Sequence, residues 1–217
     1  MIPVLIVPIL TGPQLLVRML GSLDVRVDHL VVVDNGGVVG EPVERAAYEV
    51  ADRLSVIRMP ANLGVAGSWN LGIKATPFAP WWLVVNHDVE FGRGTAGQFA
   101  TIASPDTLVL TGGPQPWCCF AVGEDVVKDV GLFDEGFHPA YFEDTDYERR
   151  ATAVGIGIVR LAGALRHDNS STLASGYAAR NAITYGSNSA YYGAKVAAED
   201  FTEGAWSLER RRDNSWD

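Results

Sequence analysis

The stretch WWLVVNHDVEF, residues 81–91, decides the fold. An unbroken apolar run of this kind reads as a strand buried on both faces. It ends in Asn86, His87, Asp88 and then Glu90. A buried strand is a rigid support for polar groups at its tip, so the segment sets a knot of oxygen and nitrogen donors at the edge of a sheet.

Upstream, residues 3–9 (PVLIVPI) and 29–34 (HLVVVD) share the Val, Ile and Leu richness of buried strands, and QLLVRMLGSL between them has helical spacing. A second helical stretch over 41–52 leads to LSVIRM at 54–59, and SWNLGIKA at 68–75 leads to residue 81. Strand, helix, strand, helix at these spacings predicts right-handed crossovers in an α/β fold, Rossmann-like, with a mainly parallel central sheet and helices on both faces. Ligands bind such sheets beyond the carboxyl ends of the strands. Asp34-Asn35-Gly36-Gly37, Asn62-Leu63-Gly64 and Asn86-His87-Asp88 each follow a strand and are expected to converge on that edge.

Downstream, TLVLTGG (107–113) and PWCCFAVG (116–123) read as strands, residues 134–155 as a loop entering an amphipathic helix, and GIGIVRL (155–161) as a strand. From Ser175 an Ala- and Tyr-rich stretch reads as helix that packs on the body or on a second copy of the chain, a homodimer contact. With no repeat, low-complexity tract or linker, residues 1–217 are expected to form one domain.

The chain has 217 residues and 47% hydrophobic content, enough for a substantial core. Its formal charge of -9, from 26 acidic and 17 basic residues, disfavours a generic nucleic-acid binder. Arg210, Arg211 and Arg212 are the local exception: a solvated tail, or a contact to an anionic acceptor or a membrane surface. No apolar stretch reaches the ~20 residues of a membrane helix, and the apolar start lacks a basic leader. Adjacent Cys118 and Cys119 make an awkward disulfide and a natural reduced pair. A cytoplasmic location is expected.

Asp34 and Asn35, before two glycines, suit an Asx turn as readily as a ligand contact. In NLGVAGSWN (62–70), the glycines permit close approach of a bulky group and Ser68 can cap a helix. Asp88, helped by Asn86, could hold Mg²⁺ or Mn²⁺, hard cations that bridge carboxylates to phosphates. His87 is as readily a packing residue. YFEDTDYERR (141–150) is the densest chemical stretch, although acidic residues are also favoured in a helix's first turn without any catalytic role. His167 is a candidate metal ligand and equally an ordinary loop residue. Trp117, Tyr141 and Phe142 could shape an acceptor pocket or simply pack.

Taken in order, VLIVPIL, VVVDNGG, ANLGVAGSWNLGI, WWLVVNHDVEF, VGLFDEGFHPAYFEDTDYERRATAVG and RHDNSS resemble the family 2 type of GT-A glycosyltransferases, in the branch with rhamnosyl- and galactofuranosyltransferase-like enzymes. The resemblance spans roughly residues 3–172. It implies an inverting transfer of a hexosyl or deoxyhexosyl group from a nucleoside-diphosphate sugar to an acceptor hydroxyl. It also implies a nucleotide-sugar-binding half (1–92), an acceptor and catalytic half (93–172) and a C-terminal helical segment (173–217). Asp34, Asn35, Asn62, Gly64, Asn70 and Asn86 would line the donor site, Asp88 and His167 would hold Mn²⁺ or Mg²⁺, and Asp144 would be the general base. Asn86 departs from the family's Asp-x-Asp by putting a neutral, weaker ligand first. The acceptor would be a glycan, a lipid-linked intermediate or a protein, and less naturally a nucleic acid.

Three rivals stand beside this reading. One is a degenerate nucleotide-sugar-binding protein, against which Asp88, Asp144 and His167 count. A nucleotidyltransferase should carry a basic, Gly-rich loop, and TGPQLL (11–16) has no Lys or Arg. A dinucleotide-dependent oxidoreductase should carry an early Gly-x-Gly-x-x-Gly, which is missing.

Overall fold

The structure is a computed structural model that describes residues 1–168 and 178–202, without the side chains of 178–182. Asn169 to Ser171, the start of the Ala- and Tyr-rich stretch at Ser175, and Arg210 to Arg212 lie outside the described residues.

The first half alternates as its hydrophobic pattern predicts: β1 (Ile2–Ile9), α1 (Pro13–Gly21), β2 (Val27–Asp34), α2 (Glu41–Val50), β3 (Ala51–Arg58), α3 (Gly64–Ala75) and β4 (Trp81–Val85). Then follow β5 (Val89–Phe91), α4 (Thr95–Ile102), β6 (Leu108–Thr111), β7 (Cys119–Gly123), α5 (Glu124–Val130), α6 (Glu143–Ala153), β8 (Ile158–Leu161), β9 (Leu165–His167) and α7 (Ala178–Ala197). Seven strands form one sheet in the order β3-β2-β1-β4-β7-β6-β8, and β5 pairs with β9 in a separate ribbon. β3, β2, β1 and β4 are mutually parallel; β7 runs antiparallel to both β4 and β6.

The period-two alternation of a strand splits the core into two layers. Leu5, Val7, Leu30, Val32, Leu83 and Val85 face α1, α2 and α4, where Leu16, Met19, Val43, Ala47 and Phe99 meet them. Val4, Ile6, Val31, Val33, Trp82 and Val84 face α3, α5 and α6, where Trp69, Ile73, Val126 and Tyr147 meet them. Phe133 lies between that layer and α6, its ring stacked on Tyr147 at 4.1 Å.

Several elements differ from the sequence expectation. The run at 81–91 is not one strand: the Asn86 N–H donates to the Cys118 carbonyl, the Val89 N–H turns back to Asn86 O, and β5 leaves the main sheet to pair with β9. Residues 116–118 form a 3₁₀ turn rather than a strand, because Pro116 has no N–H for a ladder and the Cys118 N–H bonds back to Gln115 O. The short α4 and α5, of 8 and 7 residues, escape a periodicity reading that needs longer windows.

Both outer strands of the main sheet carry charge. On β3, Asp52 pairs with Arg26, and Arg53 pairs with Asp28 at 2.9 Å; on β8, Arg160 pairs with Glu148. Among the described residues, no helix is long and apolar enough to cross a membrane.

α3 lies unusually close to β1 at Gly72, where a Cβ would fall 2.5 Å from Cγ2 and 2.9 Å from Cγ1 of the buried Ile6. Gly72→Ala gains ~1 kcal/mol of helix propensity, but overpacking against a stiff, β-branched side chain costs ~1–3 kcal/mol. The variant is expected to melt below the wild type in a thermal scan. An equal or higher midpoint would show that this helix contact is loose.

Candidate functional site

The ribbon builds the first cluster. Its register sets Val89 opposite His167, so Asp88 and His167, far apart in sequence, meet with Nε2 and Oδ1 3.1 Å apart. The Asp168 N–H also donates to Asp88 O. The Gln115 side-chain oxygen contacts His167 Nδ1, and Asn86 Nδ2 lies 3.5 Å from Nε2. With Nδ1 on the Gln115 oxygen, Nε2 is the ring nitrogen that faces the Asp88 carboxylate. The two groups are thereby disposed as they would be on either side of a shared proton or cation.

Arg18 of α1 fastens this ribbon. It pairs with Asp168 at 2.6 Å and donates to Asp88 O at 3.2 Å, while Arg166 meets the other Asp168 oxygen at 3.3 Å. His87 points into the interior beside the Thr11 backbone. Burial holds its imidazole below the usual range against the opposing pull of Asp88, which is the packing alternative its position allowed.

The loops after β2 and β3 form a second cluster on the same sheet edge. Asp34 is wholly buried and accepts from the N–H groups of Gly36, Val38 and Val39, an Asx-type anchor for its own loop. Asn35 donates to Ser68 Oγ at 2.8 Å and accepts from the Leu63 N–H at 2.9 Å. Ser68 is therefore not a helix cap: it sits a turn inside α3 and donates to Gly64 O. Asn62 accepts from the Gly64 N–H.

Gly64 has φ of +75°, and a Cβ there would lie 2.7 Å from Pro139 O, so the position requires glycine twice over. The Val65 N–H donates to that same carbonyl. Asn70 is buried and holds the GLFDEGF segment, accepting from the Phe133 N–H and donating to Phe133 O and Glu135. The Asn-x-Gly loop thus docks on residues 133–139, which lead into the acidic stretch.

That stretch opens α6. Tyr141 and Phe142 both take left-handed φ, +79° and +74°, and the Phe142 carbonyl accepts the Asp146 N–H. The acids divide by environment. Asp146 is fully buried and structural, paired with Arg150 at 2.8 Å and Lys195 of α7 at 3.1 Å. Glu143 is buried with Oε2 unpartnered, and burial, helped by the charge of Asp144, pushes its carboxyl up to about 8. Asp144 is half-buried; burial raises its proton affinity against the opposing hydrogen bonds from the Thr145 N–H and hydroxyl. Asp144, Thr145, Glu148, Arg149, Trp117 and Tyr192 line a cleft of about 470 Å³.

Sequence reasoning missed Gln115, Arg18 and Lys195. Nothing in GGPQP marks a histidine's partner, and a lone Lys in an Ala- and Tyr-rich helix looks solvated until its 3% exposure is seen. The stretch after Ser175 does pack on the body: Asn188 donates to Ala140 O, and Tyr191 to Asp134. Among the described residues, no group of three or more His, Cys, Asp or Glu is disposed to hold a metal ion. Asp88 and His167 meet as a pair, with Asn86 beside them.

No protein-family model matches the sequence, and no curated protein matches it. Solved structures match the fold. S. aureus TarS superposes with a TM-score of 0.60 at 18% identity over 75% of this chain and 35% of TarS. The mannosyltransferase PcManGT from Pyrobaculum calidifontis, solved with GDP-Man and Mn²⁺, gives 0.55 at 14% identity over 73% of this chain and 54% of its own. GalNAc-T7, solved with UDP, GalNAc and Mn²⁺, gives 0.62 at 11% identity over 76% and 43%. TarS 1-349 has been solved with UDP and with UDP-GlcNAc. The chain has the GT-A fold these structures share, and it spans between about a third and a little over half of the length of these three proteins.

Glu143 offers a test of the electrostatics. Its folded-state proton affinity lies above the ordinary 4.5, so the stability its protonated form contributes is fully present below pH 4.5 and is lost as pH rises through about 8. Glu143→Gln removes that loss. Denaturant titrations at pH 5 and pH 8 are expected to show the variant gaining on the wild type at the higher pH; a gap that does not move with pH would mean the carboxyl ionises freely.

Proposed function

We propose that this chain is an inverting glycosyltransferase that moves a sugar from a nucleoside-diphosphate sugar to an acceptor hydroxyl. The observation that carries the proposal is the meeting of Asp88 and His167 at the carboxyl edge of the parallel strands, where a GT-A sheet receives its ligand. The nucleotide sugars and Mn²⁺ found with proteins of the same fold support it.

The donor set fits a hard divalent ion. Asp88 and His167 present two converging electron pairs, and Mn²⁺ or Mg²⁺ completes its shell from waters and substrate phosphates rather than from a protein cage. Asp88 and His167 would hold the ion, with the Asn86 side-chain amide as a neutral neighbour. Bound there, it would neutralise charge on the departing diphosphate. Gln115 fixes the tautomer that leaves His167 Nε2 available.

Asp34, Asn35, Asn62, Gly64 and Asn70 build the donor wall. Asp34, Asn35 and Asn70 act chiefly by shaping backbone, because their polar atoms are engaged within the protein. Asp144 is the general base. It takes the proton from the acceptor hydroxyl as the oxygen attacks the anomeric carbon, the bond from that carbon to the diphosphate oxygen breaks, and the nucleoside diphosphate leaves. Burial, by raising the carboxyl's proton affinity, strengthens it as a base. Attack from the face opposite the leaving group inverts the anomeric centre, with no covalent nucleophile. The buried free thiols of Cys118, raised to about 11, and Cys119 suit a reducing compartment such as the cytoplasm.

A nucleotide-sugar-binding protein without turnover is the second reading, favoured by the neutral Asn86 beside His167. Thermal shifts against UDP, GDP, dTDP and CDP, with and without Mn²⁺, followed by donor turnover, separate the two. Asp144→Asn is expected to lose transfer by ~10²- to 10⁴-fold while keeping nucleotide binding, and Asp88→Ala to lose the metal-dependent part of that binding. Full activity in Asp144→Asn would remove it as the base.

Gln115→Leu takes the hydrogen-bond partner from His167 and is expected to weaken Mn²⁺ binding, read by calorimetry in the presence of nucleotide, ~10–100-fold. Partial recovery in Gln115→Glu would confirm the orienting role. Unchanged affinity in Gln115→Leu would exclude it.

A further inference from the structure

The cleft beside Asp144 carries information about what is glycosylated, and the inference drawn from it rests on the transferase reading above. We infer that this cleft receives an uncharged saccharide as acceptor, rather than a phosphorylated or otherwise anionic one.

Its floor is one face of α6, where Asp144, Thr145 and Glu148 lie within little more than one turn. Trp117 stands on one side, its indole N–H donating to Glu148 Oε2 at 3.3 Å. Tyr192 of α7 stands on another, half-buried, its ring stacked on Phe142 with 24° between planes. The volume of about 470 Å³ lies within the ~300–1,000 Å³ usual for small-molecule sites.

The polar groups in the cleft mostly accept hydrogen bonds. Asp144 offers carboxylate oxygens, Glu148 adds the remaining acceptor capacity of oxygens it shares with Trp117 and Arg160, and Thr145 adds a hydroxyl. Among the described residues, the one cation in the lining, Arg149, is already engaged: it donates to the Asp200 carbonyl, lies 3.6 Å from Asp146 and sits 4.3 Å over the Phe201 ring. Arg160, which pairs with Glu148 at 2.9 Å, likewise has its charge matched. A saccharide brings hydroxyl donors for the carboxylates and C–H groups that pack on an aromatic face. A phosphate or sulfate would instead add negative charge beside the Asp144 carboxylate, with no uncommitted cation among the described lining residues to meet it.

The test is saturation-transfer NMR on the full chain, with the stabilising nucleoside diphosphate and Mn²⁺ present. The probes are methyl β-glucoside, lactose, maltose and N,N′-diacetylchitobiose, each set against glucose 6-phosphate and methyl β-glucuronide. Nucleotide binding is followed in parallel.

The expected result is transfer to at least one neutral saccharide, weaker transfer to both anions, and a loss of neutral affinity in Tyr192→Ala of ~2- to 10-fold, the span of one aromatic contact. Glu148→Gln is expected to narrow the gap between neutral and anionic probes. Stronger binding of the anions overturns the inference. So does neutral binding that ignores both substitutions, or no binding of any saccharide while the nucleotide still binds. Absence of nucleotide binding in folded protein overturns the transferase reading itself.

Discussion

The pairing of β5 with β9 is the constraint on which the site depends. Only three residue pairs form that ribbon, yet its register determines which side chain stands beside Asp88. A slip of one residue would turn His167 to the opposite face and bring Arg166 or Asp168 forward, since strand side chains alternate. So short a ribbon has little register specificity of its own. The Arg18 contacts to Asp168 and to the Asp88 carbonyl supply what the ladder lacks, because they tie both strands to the helix that packs beneath them.

A second constraint lies under α6. Asp134 and Asp146 are both fully buried, and Lys195 reaches between them while also donating to the Thr202 carbonyl. Buried charges persist only when paired and hydrogen-bonded, so α7 and the first turns of α6 are mutually dependent. Asn188 extends the same dependence to the left-handed pair Tyr141 and Phe142 by holding the carbonyls of Ala140 and Tyr141. The backbone that presents Asp144 is thus held from outside by a helix about fifty residues further along the chain.

Much of the sheet could be read from the sequence because buried parallel strands and amphipathic helices leave periodic traces that need no partner to interpret. Residues 3–9, 29–34 and 68–75 are of this kind. The same is true of Asp88 and His167 as candidates, since their types and order are visible in one dimension. What could not be read is whatever depends on a neighbour distant in sequence. Gln115 acquires a role only when β9 delivers His167 to it. Asn70 reads as a polar loop residue, yet it binds the Phe133 backbone; Ser68 reads as a cap, yet it bridges Asn35 and Gly64. Within the acidic stretch the letters do not distinguish Asp144 from Asp146. Their separation into a half-exposed carboxylate at the cleft and a buried structural anion is made by Arg150 and Lys195.

The charges on β3 and β8 have a consequence for how copies of this protein meet. Among the described residues the sheet ends at β3 and β8, and an unpaired sheet edge is a template for another strand. At β3 the exposed Asp52 and Arg53 would have to give up their Arg26 and Asp28 partners, or bring them along, before a second β3 could align; at β8, Arg160 would have to leave Glu148. Extension of the sheet from molecule to molecule is therefore discouraged at both ends. A wide, strongly hydrophobic sheet gains from these charges a barrier against fibrous growth.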